Sequence, residues 1–119
     1  MRNYIFYLLL CVSLTACGQT DCNKLNANFS SYSEAMKKIN STIFTLTDNV
    51  NTSNSSWVRG ASYYSCDKNF GYFIIKTDKR NYIYKDLPIN IWISFKNASS
   101  FGSYYDRKIK NRYQLYLTN

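Results

Sequence analysis

The sequence predicts an α+β fold: a small antiparallel sheet of three or four strands, packed by two C-terminal helices and preceded by one short N-terminal helix. Segments 57–65, 71–77 and 81–85 are rich in aromatic and β-branched residues, as strands are. Only short turns separate them, which is typical of an antiparallel meander. Two helical patterns follow. With 45% hydrophobic residues and a single proline, the chain is suited to one folded domain.

The segment before the meander predicts a helix, a strand and a loop. Ser31 and Glu34 have the spacing of a capping box, which satisfies the first free amides of a helix, and apolar residues recur at helical spacing over 33–40. Residues 42–47 alternate as in a strand, which places two apolar side chains on one side of it, Phe44 and Leu46. Residues 48–56 are polar and predict a loop.

The two C-terminal helices follow a proline. We expect Pro88 to be the first helical residue, where its missing amide costs nothing, with Trp92 and Phe95 on the buried face. The serines after this helix are typical of helix-end capping. Gly102 is expected to supply a positive φ in the turn before a last helix that opens at Ser103.

The N-terminus has the features of an export signal. Arg2 precedes an apolar run over 4–14 that is too short to span a bilayer, which needs about 20 helical residues. The run ends in four residues that resemble the lipobox of bacterial lipoproteins: Leu14, Thr15, Ala16 and Cys17. The resemblance implies that residues 1–16 are removed as a signal peptide and that Cys17 is lipidated. An ordinary signal peptide is the alternative.

Lipidation would anchor the chain in the cell envelope. Two or more acyl chains on Cys17, palmitate among them, give stable anchoring, with residues 17–28 as lipidated cysteine and tether. Gly18 stands where an aspartate would resemble an inner-membrane retention signal, so we expect the outer membrane. Loss of Arg2 with the signal would change the formal charge from +8 to +7. Such a charge favours acidic partners or anionic lipid headgroups.

Two cysteines remain for the folded part. In an exported domain Cys22 and Cys66 are expected to form a disulfide, and two free thiols are the alternative. The chain has no histidine, which excludes Ser-His-Asp and Cys-His nucleophile schemes and nearly every His-built metal site. The acidic residues fall mostly at predicted turns and caps. We therefore expect a protein that is not an enzyme, and no cofactor is implied.

An ordered set of motifs resembles the KTSC domain, a module found at the C-terminus of some lysyl-tRNA synthetases. The set consists of a Tyr-x-Tyr at Tyr82 and Tyr84, a hydrophobic-Pro step at Leu87 and Pro88, and a run from Ala98 to Ile109 that contains Gly102, Tyr104, Tyr105 and Asp106. Leu87 and Asp106 replace the commoner Val and Asn. The resemblance covers about 55–113, so 55–119 is predicted as the domain and 29–54 as an N-terminal extension. It implies a fold and no established mechanism, although RNA binding has been suggested for the family.

Seven residues are candidates for binding. Single-stranded nucleic acid is held by aromatic rings that stack bases and by cations that meet phosphates. Such a set is available in the domain: Tyr82, Tyr84, Tyr104, Tyr105, Arg107, Lys108 and Lys110. The alternative is that Tyr82 and Tyr84, which share one face of a strand, lie in the core, and that the basic residues are merely solvated. We favour the core for the two tyrosines.

The preferred hypothesis is therefore a bacterial envelope lipoprotein with a KTSC-like binding module. Its partners would be the membrane, through Cys17, and a protein or an envelope polymer. The edge strands of an antiparallel meander offer one mode of binding, because they accept extended segments. RNA or other nucleic acid is the alternative partner, although export counts against it.

Overall fold

The computed structural model describes residues 20–22, 25 and 28–118 and confirms the α+β fold. The predicted signal segment 1–16 and Cys17 lie outside the described residues. In chain order the elements are β1 Thr20–Asp21, α1 Tyr32–Asn40, β2 Thr42–Ile43, β3 Leu46–Val50, β4 Val58–Ser65, β5 Phe70–Thr77, β6 Asn81–Pro88, α2 Ile89–Lys96 and α3 Phe101–Lys108. Within this part of the chain, no helix is both long and apolar enough to cross a membrane.

The predicted meander is a four-stranded antiparallel sheet in the order β3-β4-β5-β6. Tyr63 of β4 pairs with Phe73 of β5, and Ile74 of β5 pairs with Ile83 of β6. A separate parallel pair joins β1 to β2. The strand β6 is therefore an edge of the larger sheet.

Both faces of this sheet are covered. The C-terminal core lies between the sheet and helices α2 and α3, and its buried members are Val58, Ala61, Tyr63, Phe73, Ile75, Tyr84, Leu87, Trp92, Phe95, Tyr105 and Ile109. The N-terminal core lies on the other face under α1, and its buried members are Phe29, Ala35, Ile39, Ile74, Ile83 and Leu115. Successive residues of β5 and β6 alternate between the two cores, as the pleat of a strand requires.

Helix α1 begins at a capped N-terminus. The Ser31 hydroxyl accepts a hydrogen bond from the Glu34 amide at 3.1 Å, as the capping box predicts. The Glu34 carboxylate accepts from the amide of Ser30 at 2.8 Å, one residue earlier than that motif places it. Hydrogen bonds from Ser30, and then from Lys38, lower the pKa of Glu34 to about 2. These contacts fix the first turn of α1, which carries Tyr32.

The predicted strand over 42–47 is divided. Its ends belong to β2 and β3, and the prediction that Phe44 and Leu46 lie on one side is wrong. Phe44 packs in the N-terminal core, with its ring 5.4 Å from that of Tyr64, whereas Leu46 packs against the C-terminal core. The two side chains therefore enter different cores, on opposite faces of the sheet, although they are only two residues apart.

The predicted loop over 48–56 begins too early, since β3 continues to Val50. Asp48 is half-buried in this strand and accepts hydrogen bonds from the Trp92 indole Nε1 at 2.9 Å and from Lys96 Nζ at 2.6 Å. The bond from Lys96, and then that from Trp92, lower the pKa of Asp48. This carboxylate joins strand β3 to helix α2. The polar composition of 48–56 predicts a loop because it contains no sign of this long-range contact.

Strand β6 is longer than predicted and contains a bulge. Two residues, Lys85 and Asp86, lie opposite the single residue Tyr72, and Asp86 has a φ of 56°. Beyond the bulge, Leu87 returns to the C-terminal core. Pro88 ends the strand, and as the N-cap of α2 it precedes the first helical residue instead of occupying that position. Its φ of −61° and ψ of 143° are extended, which suits both the end of a strand and an N-cap. Neither position requires the amide donor that proline lacks.

The prediction of a positive φ at Gly102 is wrong. Helix α3 begins at Phe101, with the Ser100 hydroxyl accepting from the Ser103 amide at 3.2 Å, so Gly102 lies inside the first turn. A Cβ at this position would lie 2.5 Å from the Trp57 indole Nε1. Glycine is required here by the close approach of an aromatic ring and not by a turn.

Replacement of this glycine tests the close approach. Gly102→Leu should lower the free energy of unfolding by about 1–3 kcal/mol, because the new side chain overlaps the Trp57 ring. Urea unfolding measures the change. Ser103→Ala, at an exposed position of the same turn, is the matched control and should stay within about 0.5 kcal/mol of the wild type. Equal stability of both variants would contradict the packing described here.

Candidate functional site

A cavity of about 590 Å³ opens along the outer edge of β6. Three consecutive residues of this strand line it, Tyr82, Ile83 and Tyr84, although neighbouring side chains of a strand point to opposite faces. The cavity therefore lies where the two cores meet at the edge of the sheet. Its other aromatic lining residues are Tyr32 of α1, Tyr105 of α3 and Trp57. We call it the tyrosine pocket, after Tyr32, Tyr82, Tyr84 and Tyr105.

The inner part of the pocket is a pair of buried phenols. Tyr84 is 6% and Tyr105 is 4% exposed, and their hydroxyl groups share a hydrogen bond. Burial raises the pKa of both phenols, and for Tyr105 the bond to Tyr84 raises it further. Both groups are therefore protonated at neutral pH. The Trp57 ring packs edge-on against Tyr105, with their centroids 6.0 Å apart.

Two further tyrosines offer accessible aromatic surface. Tyr32 is 44% exposed, and Tyr82 is half-buried against the C-terminal core. Both are near enough to Tyr84 that, after burial and the bond to Tyr105, they also affect its pKa. Four tyrosines thus line one cavity, and each carries a phenol hydroxyl. Each can donate and accept a hydrogen bond.

The charged groups of the lining are balanced. Two carboxylates, Asp78 and Asp106, and two ammonium groups, Lys79 and Lys110, line the pocket. Asp78 accepts a hydrogen bond at 2.7 Å from Arg59, which is not part of the lining. The pocket therefore has little excess charge, although the whole chain has a formal charge of +8.

The segment after α3 forms one wall. The Lys110 amide donates to the Tyr105 carbonyl at 2.9 Å, and Asn111 then has a φ of 66°, a left-handed conformation that asparagine tolerates better than most residues. The chain turns back along β6, where the Lys85 amide donates to the Tyr113 carbonyl at 2.9 Å and Gln114 bridges to Tyr84. This return places two amide side chains in the lining, those of Asn111 and Gln114.

Four of the seven predicted binding residues meet in this pocket: Tyr82, Tyr84, Tyr105 and Lys110. The expected shared face of Tyr82 and Tyr84 is observed, since both pack on the C-terminal core. Tyr84 and Tyr105 have almost no exposed ring on which a base could stack, because they pack against Phe73 and Trp57.

The other three predicted residues lie outside the lining. Tyr104 packs edge-on against Phe95, with the ring centroids 6.2 Å apart, and Arg107 and Lys108 are exposed on α3. Helix geometry explains the division. Tyr105 and Ile109, one turn apart, face the core, and the basic residues between them face water.

Sequence reasoning missed several residues of the pocket, among them Tyr32, Trp57, Asn111 and Gln114. Each comes from a segment that is distant along the chain from β6. The tyrosine in the capping box of α1 is the one local signal, and nothing local indicates that α1 begins beside this edge.

The two cysteines of the predicted disulfide lie close together, but no disulfide joins them. In the structure Cys22 and Cys66 are free thiols that share a hydrogen bond. Burial, and then this bond, raise the pKa of Cys66 to about 12. Thiol oxidation proceeds through the thiolate, so this shift disfavours Cys66 as the attacking thiol at neutral pH. The predicted disulfide stays a prediction.

Stability under two redox conditions tests the disulfide. If it forms, Cys22→Ser and Cys66→Ser should each lower the free energy of unfolding equally, by roughly 4 kcal/mol for a loop of about 45 residues. The double variant should lose no more than either single variant. A reductant should destabilise the wild type by the same amount and leave the variants unchanged. Additive losses, or a wild type that is insensitive to reductant, would contradict the disulfide.

Comparison with known proteins bears on the C-terminal part of the chain. Residues 74–113, which contain the end of β5, all of β6 and both C-terminal helices, match the family model of the KTSC domain. Comparisons with curated proteins and with solved structures give no similar chain. The match contains three of the four tyrosines of the pocket and also Asp106, Lys110 and Asn111. The predicted resemblance to the KTSC domain is therefore confirmed for residues 74–113.

Proposed function

We propose that this chain is a lipid-anchored protein of the bacterial envelope that binds a protein or an envelope polymer in the tyrosine pocket. The lipobox-like residues before Cys17 support the anchor. The pocket supports binding, and it is the observation that carries the proposal. Its volume of about 590 Å³ falls within the range of ligand sites, and it combines aromatic walls with a few polar groups.

The chemistry of the pocket favours binding over catalysis. The phenols of Tyr84 and Tyr105 stay protonated at neutral pH, so neither can act as a general base there. The carboxylate of Asp78 is already paired with Arg59. Asp106 is exposed at the rim, where a carboxylate serves well as a hydrogen-bond acceptor.

Nucleic acid is a weaker candidate for this pocket. A phosphate chain needs several cations, and the lining contributes two, Lys79 and Lys110, against two carboxylates. Arg107 and Lys108 are exposed but lie outside the lining. The cations of the chain are thus not concentrated where the aromatic rings are.

The anchor is tested by fractionation of cells that express the full chain. The wild type should incorporate labelled palmitate and sediment with membranes, because acylation of Cys17 holds it there. Cys17→Ser should lose the label and leave the membrane fraction. Cys11→Ser, a cysteine change inside the predicted signal, is the matched control and should behave as the wild type. Retention of label by Cys17→Ser would refute lipidation at this residue.

The pocket is tested by photocrosslinking in the same cells. A benzoylphenylalanine in place of Tyr82 should give a crosslinked adduct, because this residue lines the pocket. The same probe in place of Phe70, which is 51% exposed and outside the lining, should give none. Absence of an adduct at position 82, with the protein folded and localised normally, would contradict binding in this pocket.

A further inference from the structure

The tyrosine pocket has the chemistry of a site for an uncharged, polar ligand. Its ionisable lining consists of two carboxylates and two ammonium groups, and Arg59 adds one cation beside Asp78. The excess is one positive charge, so an ionic ligand gains only a small net attraction from the whole set. The same groups serve a neutral ligand well, because carboxylates accept and ammonium groups donate hydrogen bonds.

The aromatic groups add a requirement for an apolar face. Tyr32 and Tyr82 expose ring surface in the lining, and the buried pair Tyr84 and Tyr105 lies next to them. A pyranose ring has an apolar face of C–H groups, which packs on an aromatic ring, and a rim of hydroxyls, which bond to amides, phenols and carboxylates. Asn111, Gln114 and Asp106 supply such groups at the pocket.

The edge of β6 beside the pocket is already occupied. The Lys85 amide donates to the Tyr113 carbonyl, and Gln114 bridges to Tyr84, so the C-terminal segment pairs with this part of the strand. An extended peptide therefore cannot add there as a further strand, which is the usual way for a protein segment to bind a sheet edge. A ligand that uses side chains instead of backbone pairing fits the site better.

We propose that the tyrosine pocket binds a segment of neutral oligosaccharide, with its sugar rings against Tyr32 and Tyr82 and its hydroxyls on the polar rim. This inference rests on the proposed function, since it names an envelope polymer as the occupant of the same pocket. It also gives the N-terminal extension a role, because Tyr32 comes from residues 29–54. The capping contacts of Ser31 and Glu34 hold that tyrosine at the first turn of α1.

Binding of defined sugars tests the proposal. The full chain is purified in a detergent without a sugar headgroup and titrated with chitotetraose, cellotetraose and maltotetraose. Calorimetry and the fluorescence of Trp57, which lines the pocket, report binding. At least one tetrasaccharide should bind, with an affinity that is the same at low and high salt, because no counterions are released.

Three variants locate the site. Tyr32→Ala and Tyr82→Ala should each weaken binding about tenfold or more, because each removes a ring that a sugar packs on. Tyr116→Ala is the matched control: this tyrosine is 79% exposed and outside the lining, so its loss should leave the affinity unchanged. Thermal unfolding verifies the fold of each variant. Tyr32 lies on the exposed face of a helix, so its variant reports on binding even if Tyr82→Ala is destabilised.

The other outcomes overturn the inference in distinguishable ways. If no tetrasaccharide binds but position 82 still crosslinks in cells, the oligosaccharide is wrong and the proposed function stands. If neither result is obtained, both fail. Sugar binding that survives Tyr32→Ala and Tyr82→Ala would place the sugar elsewhere. Steeply salt-dependent binding of oligouridylate that is lost in both variants would make nucleic acid the occupant.

Discussion

Burial of both faces of β5 and β6 is the constraint on which the rest of the structure depends. Phe73 faces the C-terminal core, whereas the adjacent Ile74 and its partner Ile83 face the N-terminal core. Each such side chain contributes roughly 1.5–3 kcal/mol when it is removed from water, and an uncovered face would forfeit that contribution. Helices α2 and α3 cover one face. The other face is covered by α1 and by Leu115 near the C-terminus, so segments outside the matched 74–113 are needed to complete the fold.

The pocket is a consequence of this double covering. The two layers meet at the open edge of β6, where Ile83 and Leu115 of one core and Tyr84 and Tyr105 of the other line the same cavity. At the opposite edge of the sheet, Asp48 of β3 joins the strand to helix α2 through its bonds to Trp92 and Lys96. Hydrogen bonds to a charged group are stronger than neutral ones, so this contact between segments distant in sequence holds α2 firmly on the edge strand β3.

Sequence patterns predict the elements that depend on neighbouring residues. They fail where contacts with distant segments decide where a side chain lies. The meander and the capping box of α1 follow from patterns within a few residues. Alternation predicts Phe44 and Leu46 on one side because it describes a continuous strand, whereas here each core takes one of the two side chains. Gly102 was assigned to a turn because its true partner, the Trp57 ring, lies far away in the sequence. The pocket escaped prediction for the same reason, as most of its lining residues come from outside β6 and α3.

The C-terminal segment that lies along β6 also determines the stage of folding at which the pocket forms. Tyr32 and Gln114 come from near opposite ends of the described chain, and both line the pocket. Structures closed by such non-local contacts form late, after the loop-closure entropy has been overcome. A nascent chain therefore has no complete pocket. A ligand that binds only the finished pocket would link two segments that are distant in sequence. Its binding free energy would add to the global stability.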